Sequence, residues 1–126
     1  MIKLSIIVPA FNEENTVVKI LEKVANVQIE GVSKEVIVID DCSTDKTLTL
    51  LEKNKNLYDE LIKLSKNSGK GEAVKKGLMK ASGQYILFQD ADLEYDPKDY
   101  KKLLEPVLLF DADLVIGSRL LASPLT

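Results

Sequence analysis

The chain has 126 residues, 45% of them hydrophobic, and 17 Lys and Arg against 20 Asp and Glu give a net charge of −3. This is enough apolar material for one buried core, and the charge balance leaves no electrostatic footprint for a nucleic-acid partner. Histidine is absent and Cys42 is the one cysteine, which excludes imidazole ligands, imidazole bases and an internal disulfide and leaves such work to carboxylates.

Ser5-Ile6-Ile7-Val8 is a short strand-like run stopped by Pro9, and Glu35-Val36-Ile37-Val38-Ile39 is a second that ends in two aspartates. Unbroken apolar runs of this length read as buried parallel strands. Between them Val17, Val18, Leu21, Val24 and Ala25 recur at helical spacing, with Asn12 or Asn15 as N-cap before a Glu-rich first turn. The alternation continues with a helix over 44–53, a strand over 57–64, a helix over 71–81 and a strand over 85–88. After Pro97, a favourable first helical residue, Tyr100, Leu103, Leu104, Val107 and Leu108 form an apolar stripe interrupted by Pro106. Leu114-Val115-Ile116 is the expected fifth strand. The predicted fold is α/β, one domain over 1–126, with an open, mostly parallel sheet and helices on both faces. No apolar run reaches the ~20 residues a membrane helix needs, and the first residues lack the apolar core of a signal peptide. The expected location is the cytoplasm, with any membrane contact peripheral.

In open α/β sheets ligands bind beyond the carboxyl ends of the strands, where strand order reverses. Here those ends read Pro9-Ala10-Phe11-Asn12-Glu13, Asp40-Asp41-Cys42-Ser43, Gln89-Asp90-Ala91-Asp92 and Gly117-Ser118-Arg119. Acidic clusters gathered on one rim repel, since like charges ~4 Å apart cost about 1–4 kcal/mol in a wet setting. A cation or a set of donors must therefore sit among them. Asp90 and Asp92 lie two apart, and on an extended strand end they project to one side; with Glu94 they offer all-oxygen ligation, suited to Mg²⁺ or Mn²⁺. The other reading of an Asp-x-Asp is a cap or a solvated turn, and Asp40-Asp41 with Ser43 or Thr44 could likewise cap the next helix. A rim carboxylate can also accept hydrogen bonds from a nucleobase or a ribose hydroxyl. Asn67-Ser68-Gly69-Lys70-Gly71 precedes a helix, where its amides could meet phosphate oxygens, although it is not a Walker A loop. Phe11 could stack on a base, and Arg119 could grip a diphosphate.

Together these segments resemble family 2 glycosyltransferases, specifically the dolichyl-phosphate mannose and glucose synthases and their bacterial and archaeal polyprenyl-phosphate relatives. The resemblance rests on Ser5-Ile-Ile-Val-Pro-Ala-Phe-Asn-Glu-Glu14, Val36-Ile-Val-Ile-Asp-Asp-Cys-Ser-Thr-Asp45, Asn67-Ser-Gly-Lys-Gly71, Gln89-Asp-Ala-Asp-Leu-Glu-Tyr-Asp-Pro97 and Gly117-Ser-Arg119, in that order. It implies the GT-A (Rossmann-like) fold and metal-dependent transfer of a hexose from a nucleotide diphosphate sugar, UDP-glucose or GDP-mannose, to polyprenyl or dolichyl phosphate. It places Pro9, Phe11 and Glu13 in the nucleotide pocket, Ile39 and Asp41 against the base, Lys70 in the phosphate-facing loop, and Asp90 and Ala91 beside the ribose and donor sugar. Asp92 would hold the Mg²⁺ or Mn²⁺ with Glu94 assisting, and Arg119 would bind the donor diphosphate or the acceptor phosphate. Cys42 departs from the pattern, which has Gly after the Asp pair, so a backbone angle that needs glycine would be strained there.

An acceptor phosphate is ionised at neutral pH, its second pKa being about 6, so a dedicated base is unnecessary; a sugar hydroxyl would need one, and none is assigned. Relatives continue well past the equivalent of Arg119, so the expectation is a truncated donor-binding part that turns over poorly. The alternatives are a non-catalytic donor-binding fragment and a receiver-like phosphoacceptor domain. In a receiver, however, the acidic pair should follow the first strand and a Lys the fifth. A sugar-nucleotide pyrophosphorylase should instead begin with a Gly-rich, Arg-containing loop.

Overall fold

A computed structural model of the protein describes residues 2–91, 97–102, 104 and 120–122. The strands are β1 (Ile2–Ala10), β2 (Val32–Asp40), β3 (Glu60–Lys63), β4 (Tyr85–Phe88) and β5 (Leu120–Ala122). The helices are α1 (Val17–Asn26), α2 (Thr47–Lys53) and α3 (Lys70–Lys80), with short 3-10 turns at Lys55–Leu57 and Pro97–Asp99. The sheet order is β3-β2-β1-β4-β5. β1 pairs in parallel with β2 and β4, β2 in parallel with β3, and β5 runs antiparallel to β4. Chain order therefore reverses across β1, and the crevice beyond its carboxyl end is where this architecture binds ligands.

Strand alternation divides the apolar residues between two cores. Leu4, Ile6, Val8 and Ala10 of β1 pack with Val17, Ile20, Leu21 and Val24 of α1, Leu51 of α2, and Tyr100 and Leu104. Ile7, Ile37, Ile39 and Ile86 face the other way, against Ala73 of α3. A strand buried on both faces must be apolar throughout, which is why these runs do not alternate. α3 lies very close to the sheet: a Cβ on Gly77 would meet Ile7 Cγ2 at 2.7 Å and Ile39 Cδ1 at 2.8 Å. This contact fixes the height of the helix and hence the position of its first turn above the rim.

Several boundaries differ from the sequence expectation. β1 does not stop at Pro9 but continues to Ala10. Gln89 N–H donates to Ile7 O at 2.9 Å, so the odd-numbered residues of β1 turn their backbone groups toward β4. Pro9, next in that series, has no N–H to give. The β1–β4 ladder ends at Ile7↔Phe88, while β1–β2 runs on to Ala10↔Asp40. The missing donor thus parts β1 from the chain after β4 where the crevice opens. Neither Asn12 nor Asn15 caps α1, which begins after Thr16 without a side-chain cap and with no acidic residue in its first turn. Its other end is closed by Lys34, whose Nζ donates to Val24 O (2.6 Å), Ala25 O (3.2 Å) and Val27 O. α2 begins at Thr47, not 44, and β3 is confined to Glu60–Lys63 because the preceding residues form a 3-10 turn. The strand expected at 114–116 lies outside the described residues. The antiparallel β5 was not anticipated.

Candidate functional site

The carboxyl ends of β1, β2 and β4 and the start of α3 enclose a cavity of about 450 Å³. Pro9, Phe11, Glu13, Asp41, Lys70, Asp90 and Ala91 all line it, joined by Ala10 and by Asn67 and Gly69 from the segments marked out above, and by Ala73, which the sequence did not single out. Ile39 is placed elsewhere: it is fully buried beneath α3 and is not part of the wall. Asp92, Glu94 and Arg119 lie outside the described residues.

The loops after β1 and β2 are sewn together. Asn12, in the left-handed region at φ 52°, accepts at Oδ1 from Thr44 N (2.8 Å) and Asp45 N (3.3 Å). In return Asn12 N donates to Ser43 Oγ (3.0 Å), Glu13 N to Thr47 Oγ1 (2.8 Å) and Glu14 N to Asp45 Oδ2 (3.2 Å). Asn12 therefore braces the neighbouring loop instead of capping its own helix, and neither Ser43 nor Thr44 caps α2, which begins after Lys46 without a side-chain cap; Asp45 Oδ1 accepts from Thr47 N (2.9 Å) and Thr47 Oγ1 (2.5 Å). Partial burial works against charge on Asp45, but the Thr47 hydroxyl and the surrounding amides outweigh it and hold the carboxyl below the ordinary carboxylate range.

The two aspartates at the end of β2 part company. Asp41 accepts from Ser68 N at Oδ1 (2.8 Å) and from Gly69 N at Oδ2 (2.9 Å), and so hangs the turn before α3 on β2. Gly69 sits at φ 91°, a conformation open to glycine. The Asp40 side chain is buried; its Oδ2 accepts a long bond from Ser43 N (3.4 Å), and among the described residues its Oδ1 has no partner. Cys42 has φ 57°, the left-handed angle that glycine would take without strain.

Across the cavity Asp90 forms an ion pair with Lys70 Nζ. The backbone beside it is held by side chains. Gln89 Nε2 donates to Asp90 O (3.1 Å), Tyr100 Oη donates to Gln89 Oε1 (2.5 Å), and Thr16 Oγ1 donates to Ala91 O (2.6 Å). The repulsion expected on an acidic rim is thus relieved locally: amides meet Asp41, the Thr47 hydroxyl meets Asp45, and an ammonium meets Asp90. Among the described residues no group of three or more acidic or cysteine side chains is arranged to hold a metal ion. Asp90 nevertheless offers a carboxylate at a point of the cavity that already accommodates a cation, the Lys70 ammonium. The donor set is all oxygen, which fits Mg²⁺ or Mn²⁺.

A family model described as glycosyl transferase family 2 matches residues 5–124. The dodecaprenyl-phosphate galacturonate synthase of Rhizobium johnstonii is 34% identical over 94% of this chain and 36% of its own length. The dolichol-phosphate mannosyltransferase of Pyrococcus furiosus is 32% identical over 93% of this chain and 33% of its own. Among solved structures, residues 1–349 of TarS of S. aureus with UDP superpose with a TM-score of 0.76, 33% identity and coverage of 88% of this chain and 33% of that one. The glucosyl-3-phosphoglycerate synthase of Mycobacterium tuberculosis, with Mn²⁺, UDP and glucosyl-3-phosphoglycerate, gives a TM-score of 0.70, 27% identity and coverage of 86% and 40%. The chain spans about a third of the length of these two curated relatives.

Proposed function

This chain belongs to glycosyl transferase family 2 and has the GT-A fold of that family's enzymes, and from that premise we propose that residues 1–126 are the nucleotide-sugar-binding part of a catalytic domain. The reaction we assign is transfer of a hexose from UDP-glucose or GDP-mannose to polyprenyl or dolichyl phosphate at the cytoplasmic face of a membrane. Supporting the acceptor are the relatives named for dodecaprenyl and dolichol phosphate; supporting a metal-assisted donor site is the neighbour holding UDP and Mn²⁺. No described helix is long and apolar enough to cross a membrane. Family membership sets aside the receiver-like alternative.

The observation that carries this reading is the gathering of residues from three strand ends and one helix start around a single cavity. Phe11, 42% exposed at its mouth, presents a ring on which a base can stack. Each oxygen of Asp41 accepts one backbone N–H and keeps a lone pair free to accept from a base. Lys70, with the first amides of α3, meets the diphosphate, and Arg119 supplies a second cationic contact. Asp92, assisted by Glu94, would hold Mg²⁺ or Mn²⁺, which when bound offsets the charge of the departing diphosphate. In the transfer an acceptor oxygen forms its bond to the anomeric carbon while the bond to the nucleotide diphosphate breaks and its electron pair leaves with that group. An ionised acceptor phosphate needs no protein base, in keeping with a chain that contains no histidine.

The test is incubation of the 126-residue chain with each donor, Mn²⁺ and a short polyprenyl phosphate. The expected result is donor binding with slow formation of the lipid-linked sugar. Rapid transfer would contradict the assignment of this stretch as a donor-binding part alone, and failure to bind either donor would contradict the assignment altogether.

A further inference from the structure

Among the described residues three large apolar side chains are exposed: Phe11 at the mouth of the cavity, and Leu78 (41%) and Met79 (72%), which follow one another on α3. α3 packs on the sheet through Ala73 and Gly77. A helix that only covered Ile7, Ile37 and Ile39 would present polar residues at 78 and 79. Successive helical residues are about 100° apart, so Lys75 lies between Leu78 and Met79 on the outward face, with Lys76 on the flank beyond Met79. Lys75, Lys76 and Lys80 are exposed as well, and among the described residues no carboxylate pairs with them. With Lys70 the helix carries four lysines against the single Glu72, a charge of +3 on a chain whose total is −3.

We propose that the outward face of α3 is a docking surface for an anionic lipid bilayer, with Leu78 and Met79 entering the headgroup region and Lys75, Lys76 and Lys80 meeting lipid phosphates. A helix face is convex, and the apolar part of this one is two side chains, far short of the roughly 800 Å² per partner that a stable protein interface buries. Shallow insertion of a few apolar groups among lysines is instead how a helix lies on a membrane. Lysine suits that depth, since its methylene stem follows apolar neighbours while the ammonium stays at the phosphates. The surplus of acid elsewhere in the chain is repelled by the same surface, so charge also sets the orientation. α3 has 11 residues and is about 16 Å long, so docking along it holds the cavity lined by Lys70 at one end of the contact. The surface is argued from α3 alone; its use in presenting the cavity to a lipid-borne acceptor rests on the donor-site reading above.

The test is cosedimentation of the 126-residue chain with vesicles of phosphatidylcholine alone and of phosphatidylcholine with phosphatidylglycerol in equal parts. The expected result is binding to the second and not to the first, weakened by salt. Changing Lys75, Lys76 and Lys80 to Gln lowers the partition coefficient about fivefold per lysine, on the order of a hundredfold together. Leu78→Ser with Met79→Ser lowers it too, which a purely electrostatic contact would not show. Lys19→Gln, Lys53→Gln and Lys55→Gln together remove the same charge from exposed positions on the α1 and α2 side of the sheet and leave binding unchanged. All the altered positions are exposed, so the variants keep the fold, which circular dichroism checks. Absence of binding to the anionic vesicles, binding retained without the α3 lysines, or equal loss in both triple variants overturns the proposal. So does dimerisation abolished by the two Ser changes in place of vesicle binding, which would make the face an interface between copies. Donor binding measured without vesicles reports on the donor site separately, and a failure of vesicle binding leaves that reading standing.

Discussion

Asp41 shows how one side chain can serve fold and site together. Its two oxygens accept the amides of Ser68 and Gly69, and it faces the cavity as well. Asp41→Asn puts an NH₂ against one of those amides and loses one hydrogen bond to a charged acceptor, worth about 1.5–3 kcal/mol. The expected outcome is a lower denaturation midpoint together with weaker donor binding, read by urea unfolding and calorimetry on the same preparation. At the opposite end of the strands Glu35 accepts from Ser5 Oγ (2.7 Å), Ser82 N (3.0 Å) and Ser82 Oγ (2.9 Å) and pairs with Lys3. Burial raises its pKa, but these hydrogen bonds and the Lys3 charge outweigh burial and hold the carboxyl below its ordinary value. An acid depressed in the folded state stabilises above its unfolded pKa, about 4.3, and loses that contribution as pH falls through the folded value. Thermal melts should therefore show stability falling below about pH 4, and Glu35→Gln should be less stable at pH 7 and flatter across that window. The angle at Cys42 was legible in the sequence, because a family position usually held by glycine predicts a positive φ and the structure has φ 57°. The bonds of Asp41 to residues 68 and 69 were not, because they join segments 27 and 28 residues apart and leave no local pattern.

At the level of elements, α3 and the rim loops decide the geometry of the cavity. Gly77→Ala would place a methyl against Ile7 and Ile39, and overpacking of this kind costs about 1–3 kcal/mol. Because α3 carries Lys70 at its start, the variant should also bind donor less tightly, a loss that calorimetry would register beside the shift in unfolding midpoint. Apolar runs ending in Pro9, in Asp40-Asp41 and in Gln89-Asp90 made β1, β2 and β4 readable, since a strand buried on both faces leaves an uninterrupted signal. β3 was overextended because Leu57 and Tyr58, apolar and adjacent to the run, belong to a 3-10 turn and the residue following it. β5 was missed because three residues, Leu120–Ala122, carry too little periodicity to mark a strand. Asn12 was read as a helix cap on local spacing, whereas its partners, Thr44 and Asp45, lie on another loop.

For the molecule as a whole, the sheet order β3-β2-β1-β4-β5 brings separate sequence motifs to one crevice, and the proposed donor site rests on that convergence. The matched curated relatives are about three times as long, and the cavity described above is lined by residues of this chain. The most direct test is thermal stabilisation of the chain by UDP-glucose and GDP-mannose, with and without Mn²⁺, beside Asp92→Ala. A ligand at 100 times its Kd adds about 2.7 kcal/mol, enough to move the melt clearly. The predicted result is a Mn²⁺-dependent rise for one donor that is absent in Asp92→Ala; a folded chain whose melting is unmoved by either donor would contradict the donor site.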